Sequence, residues 1–162
     1  MKRWDLRPFE TKNLFNPAFC ALLMMRSLDA FEAEDAKGIP FSLSLLILPL
    51  ALHKASRDVF ASSNRSYLLK TVEDNPQILI ALAERVTEML PFTLEALGLA
   101  MQMGCFQATP EGRLIINPKT TKKAIQGTDE SISCQRVARL LGREFARIGD
   151  RVTVYTAFGI RP

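Results

Sequence analysis

The spacing of apolar positions divides this chain into helices and one tight hairpin. After Asn16-Pro17, the residues Phe19, Leu22, Leu23, Leu28 and Phe31 recur at helical intervals, which predicts one buried face. Asn16 suits the N-cap and Pro17 the first helical position, and Gly38 breaks the helix after the polar run Glu32-Ala33-Glu34-Asp35-Ala36-Lys37. A second helix is predicted from near Phe41, bent or ended around Pro49, with His53-Lys54-Ala55-Ser56-Arg57-Asp58 behind it. Asn64 or Ser66 is expected to cap a short helix to Thr71. Asn75-Pro76 repeats the earlier opening, and Ile78, Leu82, Val86 and Met89 predict a helix over Gln77–Leu90.

Pro91 then fits the first turn of a further helix carrying Leu94, Leu97, Ala100 and Met101, with Gly104 as its stop. Cys105–Ala108 and Arg113–Ile116 read as strands around Thr109-Pro110-Glu111-Gly112, where proline second and glycine fourth fit a type I turn. Asp129 or Ser131 is expected to cap a last long helix to about Ile148, with Cys134, Val137, Leu141, Phe145 and Ile148 on one stripe and Gly149-Asp150 ending it. Residues 1–14 read as extended with Trp4 and Phe9 as anchors. The tail Val152–Phe158 is β-rich by propensity, though short enough to be helical, and either packs on this domain or reaches into a neighbour.

These elements predict a mainly α fold with a small β-hairpin (α+β), a helical domain containing a winged-helix-like element. One domain is expected over 1–162: a helical part over about 1–90, the winged-helix-like part over about 91–118, and the C-terminal helix and tail over 129–162. A winged helix that reads DNA needs Arg, Lys, Asn or Gln on the helix before the hairpin. From Phe92 to Met103 there is no Lys or Arg, and the polar residues are Thr93, Glu95 and Gln102. A helix so apolar is buried or docks on a protein, which makes Leu94, Leu97 and Met101 candidate interface residues. The uncharged run Ile39–Leu52 is too short to span a bilayer and is interrupted by Pro40 and Pro49. It predicts a core helix or a docking one, with Leu46 and Leu50 as contacts. Tyr155 and Phe158 are the natural anchors of the tail.

Composition narrows the function classes. Residues 1–104 carry 11 basic and 12 acidic side chains, whereas residues 105–162 carry 10 and 5, so the excess positive charge lies in and after the hairpin. Arg136, Arg139, Arg143 and Arg147 are spaced to form one stripe on the last helix. With Lys119, Lys122 and Lys123 they are candidate phosphate contacts, a solvated face, or a match for an acidic partner. Cys20, Cys105 and Cys134 form no CxxC pair, so no metal site is expected, and three separate cysteines without a secretory leader suggest a reducing, cytoplasmic setting. The single His53 fits a helix-end role better than a catalytic one, and no GxxxxGK[ST] or GxGxxG cradle occurs. No enzyme activity and no cofactor are expected.

Several phrases carry a family resemblance. They are Arg7-Pro8-Phe9-Glu10, Leu14-Phe15-Asn16-Pro17-Ala18-Phe19, Leu48-Pro49-Leu50-Ala51-Leu52-His53-Lys54, Pro91-Phe92-Thr93 with Glu95-Ala96-Leu97, and the ending Val154-Tyr155-Thr156-Ala157-Phe158-Gly159-Ile160-Arg161-Pro162. In this order they resemble the middle component of bacterial three-component ABC systems, to which Lamassu-type defence systems are related. The resemblance implies a non-catalytic adaptor between an SMC-like ABC ATPase and an effector, often a nuclease, in anti-phage or anti-plasmid defence. It leaves DNA contact through the complex open, and the short, proline-interrupted run Ile39–Leu52 argues against a membrane association. The alternative from the residues alone is a winged-helix DNA-binding transcriptional regulator.

Overall fold

The structure, a computed structural model, describes residues 6, 8–9, 12, 15–63, 67–120 and 124–160. Helix α1 (Pro17–Glu32) starts as its sequence dictates: Asn16 Oδ1 accepts the N–H groups of Ala18 at 2.9 Å and Phe19 at 3.3 Å. Ahead of it the ring of Phe15 stacks on Phe92, 4.4 Å between centroids. Phe9 is exposed, so it is not the anchor the sequence suggested, and Trp4 lies outside the described residues. Aromatic content alone does not reveal which ring faces a partner ring.

Gly38 turns the chain with φ +82°, where an added Cβ would overlap the Leu114 carbonyl. Strand β1 (Ile39–Pro40) can therefore lie directly against the hairpin. Two short helices follow, α2 (Phe41–Ser44) and α3 (Ile47–Ala51). The break falls at Leu45–Leu46 rather than at Pro49, because Pro49 has no N–H to give the carbonyl one turn earlier. Leu43, Leu46, Ile47, Leu48 and Leu50 are all buried, so the uncharged run is core. Among the described residues no helix is long and apolar enough to cross a membrane.

Helices α4 (Lys54–Ser62) and α5 (Leu68–Asp74) come next. Tyr67 occupies the N-cap position of α5, and the expected caps Asn64 and Ser66 lie outside the described residues. Asn75-Pro76 opens only a short 3₁₀ turn (Pro76–Leu79) that stops at Ile80, and Ala81, at φ +53°, leads into the next helix. Helix α6 then runs from Leu82 to Gln102, straight through Pro91. This corrects the prediction of two helices meeting at Pro91. Leu82, Val86, Met89, Thr93, Leu97 and Ala100 keep one helical phase across the proline. Packing on both sides therefore outweighs the single hydrogen bond that Pro91 cannot donate.

Gly104, at φ +68°, ends α6, and the Cys105 N–H closes on the Ala100 carbonyl at 2.8 Å. Strands β2 (Phe106–Ala108) and β3 (Arg113–Ile116) pair antiparallel across the predicted turn, with Phe106 opposite Ile116 and Ala108 opposite Leu114. The Gly112 N–H donates to the Thr109 carbonyl at 3.0 Å. β1 joins the other edge of β3, with Ile39 opposite Leu114, so the sheet order is β1-β3-β2.

Helix α7 (Asp129–Ile148) is capped by Thr128, whose Oγ1 accepts the Ser131 N–H at 3.3 Å. The expected caps Asp129 and Ser131 are inside the helix. Asp129 sits in the first turn, where its charge meets the positive end of the helix dipole. Cys134, Val137, Leu141 and Phe145 are buried along the predicted stripe, and Gly149 ends the helix at φ +73°. The tail is helix α8 (Arg151–Ala157), not a strand. Asp150 caps it by accepting from the Val152 and Thr153 N–H groups, and Val154, Tyr155 and Phe158 form a buried helical face. α1 packs along both α7 and α6, and one contiguous apolar cluster runs from Cys20 to Phe158.

Candidate docking surfaces

The seven interface candidates separate by depth. Leu46, Leu50, Leu97, Tyr155 and Phe158 fill this chain's own core. Tyr155 donates its hydroxyl to the Ser42 carbonyl at 2.7 Å, and Phe158 meets Phe145 edge-on at 6.2 Å. That corrects the expectation of a partner-facing role for these five, because apolar residues with partners inside the fold have no surface left to offer. Leu94 and Met101 remain outward, at 47% and 37% exposure.

They stand in a line. Leu90, Leu94, Gly98 and Met101 succeed one another at four, four and three residues on α6, beside the buried stripe, and all but the half-buried Gly98 are exposed. Nothing stands within 4 Å of the place a Gly98 Cβ would take. Thr93 is not on this face: it is buried and returns its hydroxyl to the Met89 carbonyl. The hairpin beside the helix is no better supplied with cations. Its turn carries Glu111, and Arg113 is held by the Gly38 carbonyl at 2.7 Å and Asp35 at 3.4 Å.

The four arginines do form one exposed stripe on α7, but they are not equivalent. Arg147 bonds Glu34 at 3.1 Å and Glu144 at 3.2 Å, and Arg143 reaches Glu144 at 3.3 Å. Glu144 is buried beneath them, so this end of the stripe is internally balanced. Among the described residues Arg136 and Arg139 have no carboxylate within ion-pairing distance. Both line a groove of about 680 Å³ between α4 and α7, whose apolar wall includes Phe60, Ile132 and Leu140. Arg139 and Arg143 also border a second groove, shared with Asp29 and Glu34 of α1. Lys119 is exposed after the hairpin, and Lys122 and Lys123 lie outside the described residues.

Several other titratable groups serve the fold. His53 caps α4: Nδ1 lies 3.3 Å from the Ser56 N–H and 2.9 Å from the Ser56 hydroxyl. Burial, then the charges of Arg85 and Arg57, hold its pKa below the usual imidazole value, which keeps the accepting nitrogen unprotonated. Two buried arginines, which simple periodicity does not reveal, tie distant segments together. Arg26 reaches Gln135 and the Ala124 carbonyl, and Arg57 reaches the Ala51 and Leu52 carbonyls and Glu130. Burial pushes the Cys20 thiol up to about 12.

The family described as ABC-three component (ABC-3C) system Middle Component 3 matches residues 4–162. The chain matches no curated protein and no solved structure.

Proposed function

This chain belongs to the ABC-three component system Middle Component 3 family, and on that premise we propose that it is a non-catalytic adaptor joining an SMC-like ABC ATPase to an effector, often a nuclease, in an anti-phage or anti-plasmid complex of the cytoplasm. The observation that carries the reading is the uncharged outward line Leu90, Leu94, Gly98 and Met101 on α6. Desolvating it costs no charge, and the half-buried Gly98 lets a second backbone approach closely.

The helix–strand–helices–hairpin order, with β1 beside β3, supports reading α6 and the hairpin as a winged-helix-like element within one domain. Such an element reads bases only through polar or cationic side chains. This one offers its partner the apolar line Leu90, Leu94, Gly98 and Met101 and a turn bearing Glu111, which favours protein over DNA. DNA is reached through the assembled complex.

The test is co-expression of the tagged chain with the other components of its system, sized by light scattering with and without DNA. A stable complex containing the ATPase is expected for the wild type, and its loss in a folded Leu94→Asp variant. A lone monomer or dimer that binds DNA by itself would replace this reading with the regulator. Normal assembly of Leu94→Asp would remove the α6 face from it.

A further inference from the structure

We infer that the groove between α4 and α7 receives an acidic, amphipathic segment of a partner protein. The inference rests on the adaptor reading and names a second contact, separate from the α6 face. Its carriers are Arg136 and Arg139, the two members of the α7 stripe that no carboxylate neutralises among the described residues.

The chemistry of the groove is mixed. Half-buried Ile125, Ile132 and Leu140 lie over buried Phe60 and Val137, giving an apolar floor. Arg136 and Arg139 rise along one side, with Arg143 already on Glu144, and Asp129 is the one carboxylate lining the groove among the described residues. A phosphate backbone would use the arginines and leave the floor without a match. A peptide with carboxylates on one edge and aliphatic side chains on its face uses both.

Spacing favours a helix as that peptide. Arg136 and Arg139 are three residues apart, roughly 4.5 Å along the helix axis. That is the interval between carboxylates at i and i+3 of a second helix lying alongside. The fork geometry of arginine then allows paired donors to each carboxylate. At the other end of the stripe Arg143 and Arg147 are held by Glu34 and Glu144, which leaves Arg136 and Arg139 to meet the carboxylates.

The test compares wild type, Arg136→Glu/Arg139→Glu and Arg136→Lys/Arg139→Lys, each purified with the other components of the system after thermal unfolding shows a native fold. The glutamate pair is expected to reduce recovery of the complex at least tenfold, and the lysine pair to retain most of it. A photo-crosslinking benzoylphenylalanine at exposed Ala61, on the groove rim, is expected to label a partner peptide rich in Asp or Glu and in aliphatic residues. Binding of a 30-base-pair DNA duplex, read by anisotropy, is expected to be equal for wild type and the glutamate pair.

Unchanged assembly of the glutamate pair overturns the inference while leaving the adaptor reading intact. A loss confined to DNA binding, or an adduct with a basic peptide, assigns the groove to another occupant and overturns it. So does concentration-dependent self-association of the wild type that the glutamate pair removes. Failure of the wild type to assemble at all sinks the adaptor reading itself.

Discussion

Gly142 of α7 lies directly on the Ser27 backbone of α1. A Cβ built on Gly142 would stand 2.7 Å from the Ser27 carbonyl carbon and 2.8 Å from its Cα, both inside van der Waals contact. The obstacle is main chain, which cannot rotate away, so Gly142→Ala is expected to destabilise the protein by roughly 3 kcal/mol through forced separation of the two helices. Urea unfolding measures it, and a loss below about 0.5 kcal/mol would mean the helices slide apart freely. The Ser27 hydroxyl, buried with no hydrogen-bond partner among the described residues, gives the opposite expectation: Ser27→Ala should be neutral or slightly stabilising.

Gly98 is the contrasting glycine. It sits mid-helix in α6 with open space where a Cβ would go. Gly98→Ala should raise the stability of the isolated chain by about 0.5–1 kcal/mol, the difference in helix propensity. The same variant should weaken assembly if a partner helix lies against this face. Thermal unfolding and co-purification of one sample read both effects.

Leu94 and Leu97 are three residues apart and differ in depth: one is exposed, the other is buried against the core. Leu97→Asp is expected to unfold the chain, since an unpaired charge would enter the apolar cluster. Leu94→Asp should leave the circular dichroism melt within a few degrees of wild type. Equal melts for the two variants would place both leucines on one side of the helix surface.

The Arg57 guanidinium is buried while its partner Glu130 is 71% exposed. Arg57→Met would leave the Ala51 and Leu52 carbonyls without their donor and should cost about 2–3 kcal/mol. Glu130→Gln should cost well under 1 kcal/mol, because the carboxylate is screened by solvent. A double-mutant cycle of the two reports whether the ion pair or the carbonyl bonds dominate.

His53 makes stability depend on pH with a defined sign. Its folded pKa lies below the ordinary value of 6.5, so in mildly acidic solution the unfolded chain takes up the proton first. Stability is therefore complete above that value and declines as pH falls from 6.5 toward the folded pKa. His53→Asn keeps a capping side chain that does not titrate and should flatten the profile in that window. Identical profiles for the two proteins would remove His53 as the cause.

Cys20 and Cys134 should resist alkylation. Burial raises both thiols, Cys20 to about 12, and the thiolate is the reacting species. Iodoacetamide at pH 8 is expected to modify neither in the folded protein and both in urea, as counted by mass spectrometry.

Much of the architecture is local information. Asn16-Pro17, Gly104, Thr109-Pro110-Glu111-Gly112 and the apolar stripe of α7 act through neighbours a few residues away, and each formed where its pattern placed it. The absence of Lys and Arg from Phe92 to Met103, the half of α6 before the hairpin, was equally visible, since it needs only composition. Tertiary packing decided the rest. Pro91 reads locally as a helix start, yet burial on both sides carries α6 through it. The tail reads as β by propensity, yet Asp150 and the Tyr155–Ser42 bond hold it as a helix in this chain's own core. Which arginines of one stripe stay unneutralised depends on Glu34, more than a hundred residues away, and on how deeply Glu144 is buried. No periodicity encodes that proximity, because a charge is paired or unpaired only once the helices are brought side by side.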